Sequence, residues 1–127
     1  MNRILIVEDE EQTRQGIKDY LLRAIDCDIQ EAADGRQAWQ DIKEKEFDLV
    51  ILDIKLPRLN GIDILKKAGN ENLNLDFLVI SGWDSLSIAE QALKLGAKAY
   101  LPKPFSMEMF GLKVKDILTA KNKYFPR

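Results

Sequence analysis

The chain has 127 residues, a length typical of one compact domain with its own hydrophobic core. Its 19 basic and 21 acidic side chains give a formal net charge of −2 without a sustained basic patch, which argues against direct binding of nucleic acid. Histidine is absent and cysteine occurs once, so histidine-based catalysis and an internal disulfide are excluded. The lone Cys27, with an opening apolar run too short for a signal peptide or a membrane span, predicts a cytoplasmic protein without membrane contact.

In the first part of the chain, strand-like apolar runs alternate with helix-like segments. The first run, residues 4–7, ends in acidic residues and is followed by apolar residues at helical spacing. Residues 27–32 then indicate a short strand with polar alternation, and Asp34 with Gly35 opens a second helix. A second fully apolar run, residues 49–52, predicts another buried strand.

The alternation continues in the middle of the chain. Asn60 and Gly61 are expected to begin a third helix, for which Gly69 is the predicted stop. The apolar run at residues 77–80 then predicts a third buried strand.

Capping residues mark the last two predicted helices. Asp84 or Ser85 is expected to cap the fourth helix, and Gly96 lies where a left-handed C-terminal cap belongs. After a short strand at residues 99–101, Ser106 is expected to cap a fifth helix.

Five repeats of strand and helix predict an α/β fold, with a doubly wound, flavodoxin-like parallel sheet covered by helices on both faces. The first, third and fourth strands are wholly apolar, as interior strands are, whereas the second and fifth are short or partly polar, as edges are. Both features fit the strand order 2-1-3-4-5. Residues 1–120 are expected to form the domain, and residues 121–127 a C-terminal tail or the start of a linker to an output domain.

Polar side chains cluster where the predicted strands end. In an open parallel sheet, ligands bind at the carboxyl ends of the strands, near the switch in strand order. The side chains expected at this rim are Glu8, Asp9, Asp53, Ser81 and Lys103. Each alone has an ordinary structural explanation, as a turn residue, a helix start or a surface lysine. Their joint arrival at one rim indicates a functional site.

Three carboxylates that crowd together repel one another unless a cation joins them. Oxygen ligands in a chain without histidine favour Mg²⁺. Asp9 and Asp53 are expected to bind the ion directly, with Glu8 holding a metal-bound water. The backbone carbonyl of Lys55 is a further candidate ligand.

Asp53 is the candidate nucleophile of such a site, because a carboxylate can attack phosphorus to form an acyl phosphate. The Lys103 ammonium is expected to neutralise charge on the transferring group, and the Ser81 hydroxyl to donate to one of its oxygens. The product adds a charge of about −2, which is enough to pull Ser81 and its loop inward.

Taken jointly, these stretches resemble the receiver domain family of two-component signalling. The resemblance covers residues 3 to about 119. Its motifs are Ile4 to Glu10, Leu49 to Pro57, Asn60-Gly61, Ile80 to Gly82 and Gly96 to Phe105.

The resemblance implies that a histidine kinase or a phosphotransfer protein donates a phosphoryl group to Asp53. It assigns Glu8 and Asp9 to the Mg²⁺ site and Lys103 to the phosphate contact, and it implies a cis peptide bond before Pro104. It further implies a phosphoacceptor that promotes its own phosphorylation and dephosphorylation, rather than an enzyme.

The resemblance also implies a conformational switch, in which Tyr100 turns inward as Ser81 moves. The output surface is expected to run over the fourth helix, fifth strand and fifth helix, roughly residues 84–119. A homodimer formed through this surface on phosphorylation is one expected outcome. Trp83, beside the site, is expected to shield the acyl phosphate from water and so to slow its hydrolysis.

Other functions fit parts of the pattern. A phosphatase of the haloacid dehalogenase type also uses an aspartate after a strand, but needs a second acid where this chain has Lys55. A flavodoxin-like carrier has hydroxyls and glycine in its phosphate loop, where this chain has acidic residues 8–10. No Gly-x-Gly-x-x-Gly follows a strand, which disfavours a dinucleotide site. The alternative is a receiver-like module that binds partners without phosphorylation.

Overall fold

The computed structural model describes residues 1–82 and 86–127, in which strands and helices alternate as predicted. The strands are β1 (Asn2–Val7), β2 (Cys27–Ala32), β3 (Leu49–Asp53), β4 (Phe77–Ser81) and β5 (Ala99–Pro102). The helices are α1 (Glu11–Ala24), α2 (Gly35–Glu44), α3 (Gly61–Asn70), α4 (Leu86–Lys94) and α5 (Met107–Ala120). Trp83 and the two predicted caps of α4, Asp84 and Ser85, lie outside the described residues.

The five strands form one sheet in the order β2-β1-β3-β4-β5, and each pair of neighbours is parallel. This confirms the predicted fold class and strand order. The register pairs Val7 with Leu52, Asp53 with Ile80, and Ser81 with Pro102. The carboxyl ends of β1, β3, β4 and β5 therefore lie side by side along one rim.

Both faces of the sheet are covered by helices, because the inner strands are apolar on both sides. Alternate residues of a strand point to opposite faces. In β1, Leu5 and Val7 join the core cluster beneath α2 and α3, whereas Ile4 and Ile6 join the cluster beneath α1 and α5. All four are fully buried, and each such side chain contributes about 1.5–3 kcal/mol. The doubly covered strands give the rim a rigid base.

Three of the helices begin where predicted, and each has a side-chain cap, which was predicted for Ser106 alone. Asp34, Asn60 and Ser106 each accept a hydrogen bond from the backbone N–H three residues later, at 2.9, 2.9 and 3.0 Å. Each bond satisfies an N–H group that has no partner within its helix. Beyond the far end of α4, Gly96 has a φ of 106°, which confirms the predicted left-handed cap.

The predicted stop of α3 at Gly69 is wrong. The helix continues to Asn70, and the left-handed residue is Asn72, with a φ of 54°. The Asn72 N–H donates to the carbonyl of Gly69 at 3.1 Å, and the Leu73 N–H donates to that of Ala68 at 3.0 Å. These are the two bonds of a Schellman motif, and asparagine serves in place of glycine because it tolerates this conformation.

Residues 121–127 fold back against the turn between α1 and β2. The Asp26 N–H donates to the carbonyl of Phe125 at 2.9 Å, and the Arg127 N–H donates to that of Ala24 at 3.0 Å. This end of the sheet is opposite the rim. None of the helices in the described part of the chain is both long and apolar enough to span a membrane.

Replacing Ser106 with alanine is expected to lower the free energy of unfolding by about 1 kcal/mol, because the Met109 N–H loses its acceptor. Urea denaturation of the wild type and the variant measures this difference. Ser106→Asp restores an acceptor and places a negative charge at the helix start, so it should unfold close to the wild type. Equal stability of Ser106→Ala and the wild type would contradict the prediction.

Candidate functional site

The rim brings together the acidic side chains that the sequence analysis singles out. Glu8 and Asp9 follow β1, and Asp53 is the last residue of β3. Each of the three offers a carboxylate oxygen, and these oxygens lie within 4.8 Å of one another. Glu8 and Asp53 are buried, with 0% and 3% of their surface exposed, whereas Asp9 is exposed. Such a group can hold a metal ion by oxygen ligands and leaves one side open to solvent.

Lys103 reaches into this acidic cluster from the loop after β5. Its Nζ donates to Glu8 Oε1 at 2.5 Å and to Asp53 Oδ2 at 2.9 Å. Its backbone N–H donates to the carbonyl of Ser81 at 2.7 Å, which ties the loop to the end of β4. The peptide bond between Lys103 and Pro104 is cis, as the resemblance implies. The lysine therefore bridges the two buried carboxylates.

The pKa values of both Glu8 and Lys103 are shifted upward in this cluster. Burial, followed by the hydrogen bond with Asp53 and the charge of Asp53, raises the pKa of the Glu8 carboxyl from 4.5 to about 7, although Lys103 opposes the shift. Burial lowers the pKa of Lys103, but hydrogen bonds and charges from Glu8 and Asp53 outweigh it, and the net shift is upward. The raised pKa favours a protonated Glu8 beside the charged lysine, and a proton on Glu8 reduces the repulsion between the acids.

One backbone N–H and one side-chain ammonium hold the two oxygens of Asp53. The Lys55 N–H donates to Asp53 Oδ1 at 3.1 Å, while Lys103 donates to Oδ2. The following residue, Ile54, donates its N–H to the carbonyl of Ile80 at 3.2 Å and so continues the sheet beyond β3. The Asp53 carboxylate is therefore fixed in direction. The predicted role of the Lys55 carbonyl as a metal ligand stays a prediction.

Ser81 and Tyr100, the two predicted switch residues, lie in β4 and β5, which are neighbouring strands of the sheet. Ser81 ends β4 and is fully buried, one residue beyond Ile80, the register partner of Asp53. Tyr100 lies in β5, is partly buried and packs against the cluster beneath α2 and α3. Their switch roles stay predictions, and the shielding predicted for Trp83 falls outside the described residues.

Arg14 supports the acidic loop, and sequence reasoning missed it. Its Nη1 donates to the carbonyl of Glu8 at 2.8 Å, and its Nε donates to Glu31 Oε1 at 3.1 Å. Lys18 also pairs with Glu31, at 3.0 Å. Burial raises the pKa of Glu31, but hydrogen bonds from Lys18 and Arg14 outweigh it and the net shift is downward. The position of Arg14, one helical turn after the acidic residue Glu10, is the only signal in the sequence.

A family model described as response regulator receiver domain matches residues 4–115. The chain is 36% identical over 103 residues to chemotaxis protein CheY of Thermotoga maritima, covering 81% of this chain and 86% of that protein. It is 32% identical over 118 residues to the alkaline phosphatase synthesis transcriptional regulatory protein PhoP of Bacillus subtilis, covering 93% of this chain and 49% of PhoP. The chain thus spans about half the length of several curated relatives.

Solved structures agree with the sequence comparisons. The receiver domain of Francisella response regulator 1452 superposes with a TM-score of 0.89 at 28% identity, covering 95% of this chain and 99% of that one. A CheY-like response regulator receiver domain protein from Methanospirillum hungatei superposes with a TM-score of 0.87 at 29% identity, covering 97% of this chain and 98% of that one. Because the family model and these relatives match most of its length, the chain belongs to the response-regulator receiver domain family.

Proposed function

We propose that this domain accepts a phosphoryl group on Asp53 from a histidine kinase or a phosphotransfer protein and relays the signal through its surface. The observation that carries the proposal is the Asp53 carboxylate, which ends a buried strand with Lys103 donating to one oxygen at 2.9 Å. Membership of a family that serves two-component phosphorelay signalling supports it. The domain itself is a phosphoacceptor that promotes its own phosphorylation and dephosphorylation, not an enzyme acting on other substrates.

In the proposed reaction, one oxygen of Asp53 attacks the phosphorus of a donor phosphohistidine. The new O–P bond forms as the P–N bond breaks, and the donor nitrogen keeps the electron pair of that bond. Lys103 would neutralise negative charge on the phosphoryl oxygens, and the Ser81 hydroxyl would donate to one of them. Burial of Asp53 limits access of water to the product, since only 3% of the residue is exposed.

The donor set at the rim fits Mg²⁺. Its oxygens come from Glu8, Asp9 and Asp53, within 4.8 Å of one another, and hard oxygen ligands suit this ion. Asp9 and Asp53 would hold it directly, Glu8 would hold one of its waters, and the Lys55 carbonyl would complete the protein ligands. When bound, Mg²⁺ supplies positive charge that stabilises the phosphoryl oxygens during transfer.

The proposed output is a change in the surface formed by α4, β5 and α5. A phosphoryl group on Asp53 would draw Ser81 inward, and Tyr100 would follow. Exposed leucines on two of these elements support a role in partner binding, because Leu86 is 76% exposed and Leu112 is 49% exposed. The surface would serve a homodimer or contact with another protein, without direct binding of nucleic acid.

We also propose the extent and location of the domain. Residues 1–120 would form the receiver domain, and residues 121–127 would be a C-terminal tail or the start of a linker to an output domain. The single cysteine, Cys27, is a buried free thiol, which favours action in the cytoplasm, where thiols stay reduced.

Intact mass measurement after incubation with Mg²⁺ and acetyl phosphate tests the function. One phosphoryl adduct is expected, and a parallel sample with EDTA should form much less. If neither acetyl phosphate nor a panel of phosphorylated histidine kinases gave an adduct, a module that binds partners without phosphorylation would replace the proposal.

The affinity for Mg²⁺ is expected to rise with pH and to level off above the pKa of Glu8. In the metal-free domain this pKa is about 7, and the ion favours the deprotonated carboxylate, so binding releases a proton. Calorimetric titrations between about pH 6 and 8 measure the change. In Glu8→Gln the pH dependence should largely vanish. An affinity in the wild type that is flat across this range would contradict the prediction.

A further inference from the structure

Gly61, the first residue of α3, lies against the backbone of the phosphoacceptor. Its N–H donates to the carbonyl of Ile54 at 2.8 Å. A Cβ atom added at Gly61 would lie 2.6 Å from the carbonyl oxygen of Asp53 and 2.8 Å from the Cα of Ile54. Both distances are shorter than ordinary van der Waals contact, and both atoms belong to the backbone, which cannot rotate aside as a side chain can.

We propose that Gly61 is a positioning residue for Asp53, and that its missing side chain sets where the phosphoacceptor carboxylate points. The inference rests on the proposed function. The backbone conformation at Gly61 does not itself require glycine, because the residue is helical and its φ is not positive. The need for glycine comes from the close approach alone.

The strand beneath cannot retreat freely from an added methyl group. β3 lies between β1 and β4, and its residues are buried. The N–H of Ile54 is bonded to the carbonyl of Ile80, and the carboxylate of Asp53 is bonded to the Lys55 N–H and to Lys103. Any shift of the Asp53–Ile54 peptide therefore alters these contacts.

The helix above cannot retreat freely either. Ile64 and Leu65 of α3 are 0% and 1% exposed and pack in the core cluster beneath α2 and α3. The side chain of Asn60 accepts from the Asp63 N–H at 2.9 Å and fixes the helix start. An added methyl group at Gly61 would therefore displace the Asp53 backbone as well as the helix start. A misplacement of up to about 1 Å at a reacting group can slow a reaction by about 10²-fold.

Gly69 provides a matched control within the same helix. An added Cβ there would have nothing within 4 Å. Alanine has a higher helix propensity than glycine, so Gly69→Ala should unfold at the same or a slightly higher temperature than the wild type. Gly61→Ala makes the same chemical change in α3 but meets the backbone of Asp53.

The test compares the wild type, Gly61→Ala and Gly69→Ala well below their unfolding temperatures, with circular dichroism to establish that each is folded. At saturating Mg²⁺, Gly61→Ala is expected to form the acetyl phosphate adduct at about one tenth of the wild-type rate or below. Gly69→Ala should match the wild type. In metal-free protein, the amide resonance of Lys55, which reports its bond to Asp53, should move in Gly61→Ala and stay in place in Gly69→Ala.

Each outcome separates the inference from the proposed function. If the wild type forms no adduct with acetyl phosphate or with the panel of phosphorylated histidine kinases, the proposed function fails. If the wild type forms it and folded Gly61→Ala matches it in rate and in the Lys55 resonance, the positioning role fails. Should Gly61→Ala unfold, all three proteins are compared in trimethylamine N-oxide, which favours compact states. Failure to fold even there would also overturn the inference, because Gly61 would then serve the fold as a whole.

Discussion

An Asp53→Asn variant is expected to form no phosphoryl adduct in acetyl phosphate and Mg²⁺. The amide is a poor nucleophile, so the O–P bond cannot form at this position. The variant should still fold, because asparagine has nearly the same shape and its oxygen can accept from the Lys55 N–H or from Lys103. Intact mass measurement beside the wild type reports the loss directly.

A second consequence of this variant concerns Glu8. The hydrogen bond and the charge of Asp53 both raise the pKa of Glu8, so Asp53→Asn should lower that pKa from about 7. Asp19→Asn, which changes an exposed carboxylate on α1, is the matched control and should accept phosphate as the wild type does. An adduct on Asp53→Asn at the wild-type level would reject Asp53 as the acceptor.

A Lys103→Met variant is expected to accept a phosphoryl group roughly 10²–10³-fold more slowly than the wild type. Methionine keeps much of the length of the side chain but removes the charge that faces Asp53 at 2.9 Å. The same change leaves Glu8 buried without its cation. Since Lys103 lowers the pKa of Glu8, its removal should raise that pKa further, and Glu8 should take up a proton rather than stay charged.

The stability of Lys103→Met should therefore depend on pH. A carboxyl whose pKa in the folded protein exceeds its unfolded value favours folding at low pH, and this contribution is lost as the pH rises through the folded pKa. The unfolding temperature of the variant should be closest to that of the wild type in acid and furthest below it above neutral pH. Lys121→Met is the control, because Lys121 pairs with Asp76 at the opposite end of the sheet. Equal phosphorylation rates of Lys103→Met and the wild type would contradict the prediction.

Local patterns in the sequence were sufficient to predict the fold and the members of the rim. The runs at residues 4–7, 49–52 and 77–80 are apolar at every position, which indicates strands covered on both faces. The carboxyl ends of parallel strands lie on the same side of a sheet. The position of Asp53 at the end of one run therefore predicted that the residues ending the other runs lie beside it. Glu8 lies beside Asp53 for this reason.

Contacts between residues distant in the chain were decided only by the tertiary structure. Lys103 is separated from Glu8 by 95 positions, and only the register of β5 and its following loop determine that the lysine bridges two acids. The raised pKa of Glu8 depends on burial, which no local pattern measures. The wrong stop predicted at Gly69 has a similar origin, because Asn72 can take the left-handed position as well as glycine can.

The sequence by itself therefore determined the elements, their order and the residue types at the rim, since periodicity and composition specify which segments are buried. The tertiary structure decided which atoms each side chain at the rim contacts. The support of Glu8 by Arg14 and the contact of Gly61 with the Asp53 backbone arise where helices pack on strand ends. Such contacts depend on distances of a few tenths of an ångström between close-packed segments, which local sequence patterns do not encode.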